Sequence, residues 1–509
     1  MSRPVAVSRP GPERPVALPP HGRGAAFLHF LPFGVVVAAL AVTVAHQLPP
    51  ILGFWREMLR WPYPMQGSES LMVWEAGRLA RGEGLYVANG PERHGFVSGP
   101  YTPLYLAAVA VTLALTPTVY TGGRLLTLVA WLALVALVAL LAGGGGVSRR
   151  AGWLGALVAA VSLAGFTPGV IWAVRVKPTI PALALAALGL LIVQRWWSSP
   201  RRTYLWALLP FVAAYFTKQT TVAAPAAATL FLLVQLGPRA AARFVALGVA
   251  GGAVPFALLT LATRGEFFRH IVADRRLAWQ GQLLLNFGGL FLRDYWPLLV
   301  AALLAALALV ALHLPTIAPA YLLCALGLVA TIGVEGADHD HLIELAFASA
   351  LTVGVGVAVA ASRRRLAPLA WLLAALLVGQ LVTGWTPDRW YAGELAAPDP
   401  RVRRQLDLIV ANIRDTPGEV LAEEIGLILL ADKPVPYDDP QAMAALARVG
   451  RWDQRQLLDD LDRRRFSLVI LPANPRDELW TPEVLAAIRA NYDLKFRDVW
   501  FTYVPKEGR

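Results

Sequence analysis

The chain has 509 residues, of which 56% are hydrophobic and 16% charged, with a mean hydropathy of +0.52. Soluble domains are about 45–50% apolar and about a quarter charged, so this composition excludes an ordinary soluble protein and puts most of the chain in lipid. The formal net charge of +12 then marks cytoplasmic loops and contacts with anionic headgroups, not nucleic acid. The single cysteine, Cys324, excludes a disulfide framework or a Cys-based metal site within one chain.

Residues 1–24, rich in Pro, Arg and Gly, lack a hydrophobic pattern and are expected to form a disordered cytoplasmic tail. The apolar run 27–48 is too long for a signal-peptide core and has no small-residue cleavage site, so it reads as a membrane anchor. Further apolar runs follow at 125–141, 153–172, 180–193, 204–216, 220–236, 244–262, 296–312, 317–334, 342–361 and 366–382. With the first, these make eleven candidate crossings. Prolines within them are tolerable where neighbouring helices satisfy the freed backbone groups.

Arg149 and Arg150, then Arg195, Arg201 and Arg202, then Arg239 and Arg243, then Arg363, Arg364 and Arg365 occupy alternate connections without acids. Those connections face the cytoplasm. The others hold Glu69, Glu75, Glu83 and Glu92, then Glu266 and Asp274, then Glu335, Asp338 and Asp340, and face outward. Segment 103–115 is too short to cross and is expected to lie as a helix on the outer surface, inside one large external loop, 53–120. A second interfacial piece is expected at 283–292. The reading is an all-α polytopic membrane protein with about 11 to 13 crossings, N-terminus inside, its membrane module spanning 25–384. From 385 to 509 charges are frequent, and the pattern predicts an external α/β domain with strands at 420–424, 467–471 and 499–504 and helices at 441–447, 454–465 and 482–491. No phosphate-cradling Gly-rich loop is present, because the glycine run 143–146 lacks a following Lys and Ser or Thr.

Residues able to do chemistry gather in the outward connections. Glu69 stands where the chain enters a helix, a position that the helix dipole and capping favour. Arg175 and Lys177 either hold a phosphate, Arg as a fork and Lys as a point charge, or snorkel to headgroups. Lys218 and Gln219 sit between two apolar runs, as an interfacial anchor or a phosphate ligand. The segment 335–344 concentrates four acids and two histidines. Hard carboxylates with imidazole suit Mg, Mn or Zn, with His339, Asp340 and His341 as the candidate ligands, and a solvated loop with an acid cap is the alternative. Asp340 and Glu344 lie one helical turn apart, and Glu344 falls inside an apolar run, where an acid is costly enough to indicate function. Arg269 and His270, in a mixed basic loop beside Phe267, Phe268 and Trp279, suit headgroups or a lipid phosphate.

The acid Glu69, the helix after it, Gly82-Glu83-Gly84-Leu85-Tyr86 and then Tyr101-Thr102-Pro103-Leu104-Tyr105 resemble the first external loop of GT-C superfamily membrane glycosyltransferases. The resemblance is to the protein mannosyltransferase and aminoarabinose transferase branch, glycosyltransferase family 39. Ser68 and Lys177 stand where that family often has further acids. The resemblance implies an inverting membrane glycosyltransferase, using a polyprenyl-phosphate sugar donor and the hydroxyl of a glycan, lipid or protein acceptor at the outer face of a bacterial-type cell membrane. It places Glu69 as the base, aided by Asp338 or Asp340, and Lys177, Lys218 and Arg269 near the phosphate. Tyr101, Arg175, Gln219, His270 and Glu344 then belong to the substrate site, with a divalent cation as the candidate cofactor. A transporter or flippase of lipid-linked sugars, or a non-catalytic scaffold, are the alternatives. Charges clustered at one face, not deep in symmetric halves, favour the enzyme.

Overall fold

The computed structural model describes residues 23–65, 67–90, 93–144, 147–383, 395, 398–475, 479–497 and 500–507. The tail expected at 1–24 lies almost wholly outside them. The chain begins with α1 (Arg23–Arg60), whose 38 residues run through Pro32, Pro49 and Pro50. At about 1.5 Å per residue it is longer than the roughly 30 Å hydrocarbon core. Helix, not loop, occupies 53–60.

Two short helices follow, α2 (Gly67–Ala80) and α3 (Pro103–Leu113). The 11 residues of α3 rise about 16 Å, about half a crossing. The helical body then comprises α4 (Thr121–Gly143), α5 (Arg149–Ala164), α6 (Thr167–Trp172), α7 (Thr179–Trp196), α8 (Leu208–Thr217), α9 (Ala223–Leu236), α10 (Pro238–Ala262), the single turn α11 (Glu266–Phe268), α12 (Gly281–Ala311), α13 (Ala318–Leu328), α14 (Leu342–Ser362) and α15 (Ala367–Thr383). Among the described residues seven helices are long and apolar enough to cross a membrane, and four apolar stretches are shorter.

Two expected runs are drawn differently. The run 153–172 divides at Gly165, and Pro168 opens α6, because proline suits the first helical turn and lacks the N–H that a continuous helix requires. The piece expected at 283–292 is instead the first part of α12, continuous through Pro297. Gln380 of α15 makes this possible: its Oε1 accepts from Leu298 N–H at 3.3 Å and its Nε2 donates to Asp294 O at 3.0 Å. Those bonds satisfy backbone groups beside the proline.

At the centre, α14 is buried from Leu342 to Ala360. It crosses α5 at a glycine pair. A Cβ on Gly155 would stand 2.4 Å from Gly354 O, and one on Gly354 2.6 Å from Gly155 O. Only the smallest side chain lets these two backbones touch.

The C-terminal domain runs α16 (Pro400–Asp415), β1 (Glu419–Ala422), α17 (Ile425–Leu430), α18 (Pro440–Arg448), α19 (Arg455–Asp462), β2 (Phe466–Pro472), α20 (Pro482–Asn491), β3 (Tyr492–Arg497) and β4 (Trp500–Pro505). The sheet order is β1-β2-β4-β3, with β1 parallel to β2 and the other pairs antiparallel. The sequence reading lacked β3, α16 and α17; the start of its third strand, Val499, is outside the described residues.

This domain is fastened to the segment between α2 and α3. Phe96 is buried beside Tyr437 and Trp452, with its ring 5.2 Å from that of Trp452, and Phe96 N–H donates to Pro436 O at 2.8 Å. Gly95 has φ +95° and a Cβ there would stand 2.0 Å from Pro436 O, so the approach requires glycine. Ser70 of α2 donates to Glu424 at 2.5 Å.

Candidate functional site

Glu69, in the first turn of α2, has no exposed surface. Its Oε1 accepts from Val176 N–H at 2.8 Å and Arg124 Nε at 3.1 Å, and its Oε2 accepts from Met65 N–H at 2.7 Å and Arg124 Nη2 at 2.9 Å. Burial pushes this carboxyl up, but the Arg124 charge and the N–H donors outweigh it and hold it below the ordinary range. Arg124 in turn donates to Met58 O at 2.8 Å, Trp61 O at 2.6 Å and Tyr63 O at 2.7 Å. The pair therefore ties α4, the end of α1, the entry to α2 and the 175–177 turn into one buried joint. Both Glu69 oxygens are committed to it. Arg124 was missed because an Arg in the first turn of an apolar run reads as an ordinary interfacial charge; the glycines before it, of which Gly123 packs on Val176, were the available signal.

The Val176 contact aims its neighbours outward from that joint. Lys177 Nζ lies 5.5 Å from the Trp172 ring and 6.0 Å from the Tyr101 ring, and the Arg175 guanidinium lies 4.9 Å from the Trp172 ring. Rings of this kind attract a cation. Burial pushes the Lys177 ammonium down, opposed by Asp340 and Asp338. Burial likewise pushes the Tyr101 phenol up to about 12. Lys177 has no ion pair or side-chain hydrogen bond among the described residues.

Next to it, Lys218 Nζ donates to Asp340 Oδ2 at 2.7 Å and to Thr179 Oγ1 at 2.6 Å, and Thr179 also bonds Asp340. These groups come from the end of α8, the start of α7 and the turn before α14. With Thr221, His341 and Glu344 they line a cavity of about 20 Å³, room for about one water. Glu344 accepts from Tyr321 at 3.0 Å. Gln219 reaches the other way and donates to Pro100 O at 2.9 Å, next to Tyr101. A larger cavity of about 100 Å³ lies between α1, α5, α12 and α15, but no Asp, Glu, Lys, Arg or His lines it, so the chemistry is not there.

The three candidate metal ligands do not converge. His339 is paired with Asp338, Asp340 with Lys218 and Thr179, and His341 Nδ1 with Thr331 Oγ1 at 3.0 Å. Among the described residues no group of three His, Cys, Asp or Glu side chains is placed to hold a metal ion. The Asp340 carboxylate instead meets the Lys218 ammonium at 2.7 Å. Arg269 and His270 also stand apart from the Lys177 cluster. Arg269 lies 3.9 Å from Glu266 and 3.8 Å from Asp274, while buried His270 bonds Ser98 O and Val87 O, each at 2.8 Å.

No protein-family profile and no curated protein matches the sequence. Among solved structures, ArnT from Cupriavidus metallidurans in the apo state superposes over 92% of this chain and 97% of its own, with a TM-score of 0.59 at 12% identity. The same protein bound to undecaprenyl phosphate covers 92% and 98%, with a TM-score of 0.58 at 14% identity. The chain has the ArnT fold. A more distant similarity, at a TM-score of 0.47 and 11% identity, is to the Archaeoglobus fulgidus oligosaccharyltransferase tethered with an acceptor peptide, over 94% of this chain and 74% of that one. The ArnT fold bears out the polytopic helical body with a C-terminal α/β domain that the apolar runs and the change in composition predict.

Proposed function

We propose that this chain is a membrane glycosyltransferase that moves a sugar from a polyprenyl-phosphate donor to an acceptor hydroxyl at the outer face, with inversion. The observation that carries this reading is the cluster of Lys177, Lys218, Asp340 and Tyr101 on an ArnT fold, one of whose structures holds undecaprenyl phosphate. Lys177 is a buried cation beside two rings, with Asp340 and Asp338 favouring its charged form but no ion pair of its own among the described residues, and so is left to meet a departing lipid phosphate. Asp340, held on Oδ2 by Lys218 and Thr179, lines the cavity and accepts the acceptor's proton through Oδ1. Lys218 keeps that carboxylate ionised and oriented. Glu69, first read as the base, takes a positioning role in this proposal: it fixes the 175–177 turn. No step is routed through a metal.

The test is transfer of radiolabelled sugar in membranes supplied with a polyprenyl-phosphate sugar, comparing the native protein with K177M and D340N. Removing a general base costs about 10²- to 10⁴-fold in rate, so D340N should leave a trace of product and K177M should weaken donor use. Native turnover in D340N would overturn the assignment.

A further inference from the structure

Two buried carboxyls stand outside this chemistry, on either side of the segment that carries Tyr101. Glu75 of α2 has no exposed surface and Asp438, ahead of α18, is 2% exposed. Gly99 N–H donates to Glu75 Oε1 at 2.8 Å and Ser98 N–H to Asp438 Oδ1 at 2.9 Å. These amides are consecutive, so an acid from the helical body and an acid from the soluble domain meet at neighbouring peptide units. The remaining oxygens, Glu75 Oε2 and Asp438 Oδ2, are buried without a hydrogen-bond partner among the described residues.

We propose that Glu75 and Asp438 hold one proton between them and, as an acid–carboxylate pair, are positioning residues that fix residues 98–100 and thereby Tyr101 and Gln219 at the cluster. Two bare carboxylates at this spot repel and leave two orphaned acceptors. One proton converts the repulsion into an O–H···O⁻ bond, among the stronger hydrogen bonds available. The rest of the segment is held to match: Ser98 Oγ donates to Asp439 Oδ2 at 2.7 Å, His270 Nδ1 meets Ser98 O at 2.8 Å, and Gln219 donates to Pro100 O at 2.9 Å. Both acids are pushed well above their ordinary range, Glu75 by burial and then by Asp438, and Asp438 by burial and then by Asp439. The other charged and titratable groups facing the pair are Arg275, Arg78 and Arg93, with Tyr86 beside Glu75 and His270 with Glu266 behind Ser98.

Because the folded state raises these pKa values above about 4, the unfolded reference, the stability they contribute is fully present below that pH. It is lost as pH rises through the folded-state values. The experiment uses the full chain in detergent, read by thermal unfolding and by hydrogen exchange of the 98–101 amides from pH 5 to 8.5, corrected for intrinsic exchange. In the native protein, protection of these amides should fall by up to about tenfold per pH unit as pH rises toward the value at which the shared proton leaves, and level off above it. E75Q, whose amide supplies a permanent donor to Asp438, should keep that protection at pH 8.5 and unfold at a higher temperature there than the native protein. E75A should lose protection at every pH. Native pH dependence in E75Q, or loss in E75Q matching E75A, would overturn the proposal. Neither readout requires a substrate, so the absence of sugar transfer would count against the proposed function alone.

Discussion

Replacing Arg124 by Met tests how the buried joint organises the site. The substitution deletes five hydrogen bonds, two to Glu69 and three to the carbonyls of Met58, Trp61 and Tyr63. It leaves a carboxylate that has no exposed surface with two N–H donors and no counter-charge. Removing one partner of such a pair costs about 3–5 kcal/mol, and each orphaned carbonyl adds about 1–3 kcal/mol where water does not reach it. R124M should therefore lose at least about 5 kcal/mol, with protonation of Glu69 limiting the charge part of that loss, since a neutral carboxyl avoids the penalty. The sign follows: without Arg124 the Glu69 carboxyl is raised, so R124M recovers part of its loss as pH falls, whereas the native joint, whose Glu69 is depressed, weakens only when pH drops below the ordinary carboxylate range. The charge penalty also makes E69Q a partial rescue, with the R124M/E69Q double variant more stable than R124M alone. Equilibrium unfolding in detergent at pH 5 and pH 8 reads all three. An R124M loss under about 1 kcal/mol, or an E69Q cost that simply adds to it, would refute the reasoning.

Glu424 gives a second pH-dependent component. Burial pushes its carboxyl up to about 7 against the Ser70 hydrogen bond, so native stability declines as pH rises from the ordinary carboxylate range to 7, by about 1.4 kcal/mol per pH unit, and levels off above it. E424Q should lack that decline when unfolding temperatures at pH 6 and 8.5 are compared, independently of E75Q. F96A empties a ring site that is 1% exposed, and large-to-small changes of this kind cost about 3–5 kcal/mol. Trypsin cleavage after Arg93, absent in the native protein, should report the freed segment.

Composition and hydropathy made the helical body legible, because each apolar run is long compared with the uncertainty in its ends. The boundaries were harder. The piece 283–292 and the run 296–312 read as separate because the sequence does not show Gln380 arriving from α15 to bond the backbone beside Pro297. Lys177, Lys218, Asp340 and Glu344 drew attention individually, as charges beside apolar runs, and the fold explains why they belong to adjoining places: α7, α8 and α14 begin or end at one rim. His339 and His341 are near Asp340 in sequence yet point to other partners, a divergence that spacing along a tight turn does not reveal. Arg124 had only the glycines before it as a local sign, and the pair of Glu75 with Asp438 had none. Each is a single charge in an unremarkable segment, and its meaning depends on a partner far along the chain.

The central claim is that the rim at Lys177 receives the phosphate of a polyprenyl donor. Cryo-electron microscopy of the full chain with undecaprenyl phosphate tests it most directly. The phosphate should lie within hydrogen-bond reach of Lys177 Nζ, near Lys218 and Asp340; a phosphate bound away from Lys177 would contradict it.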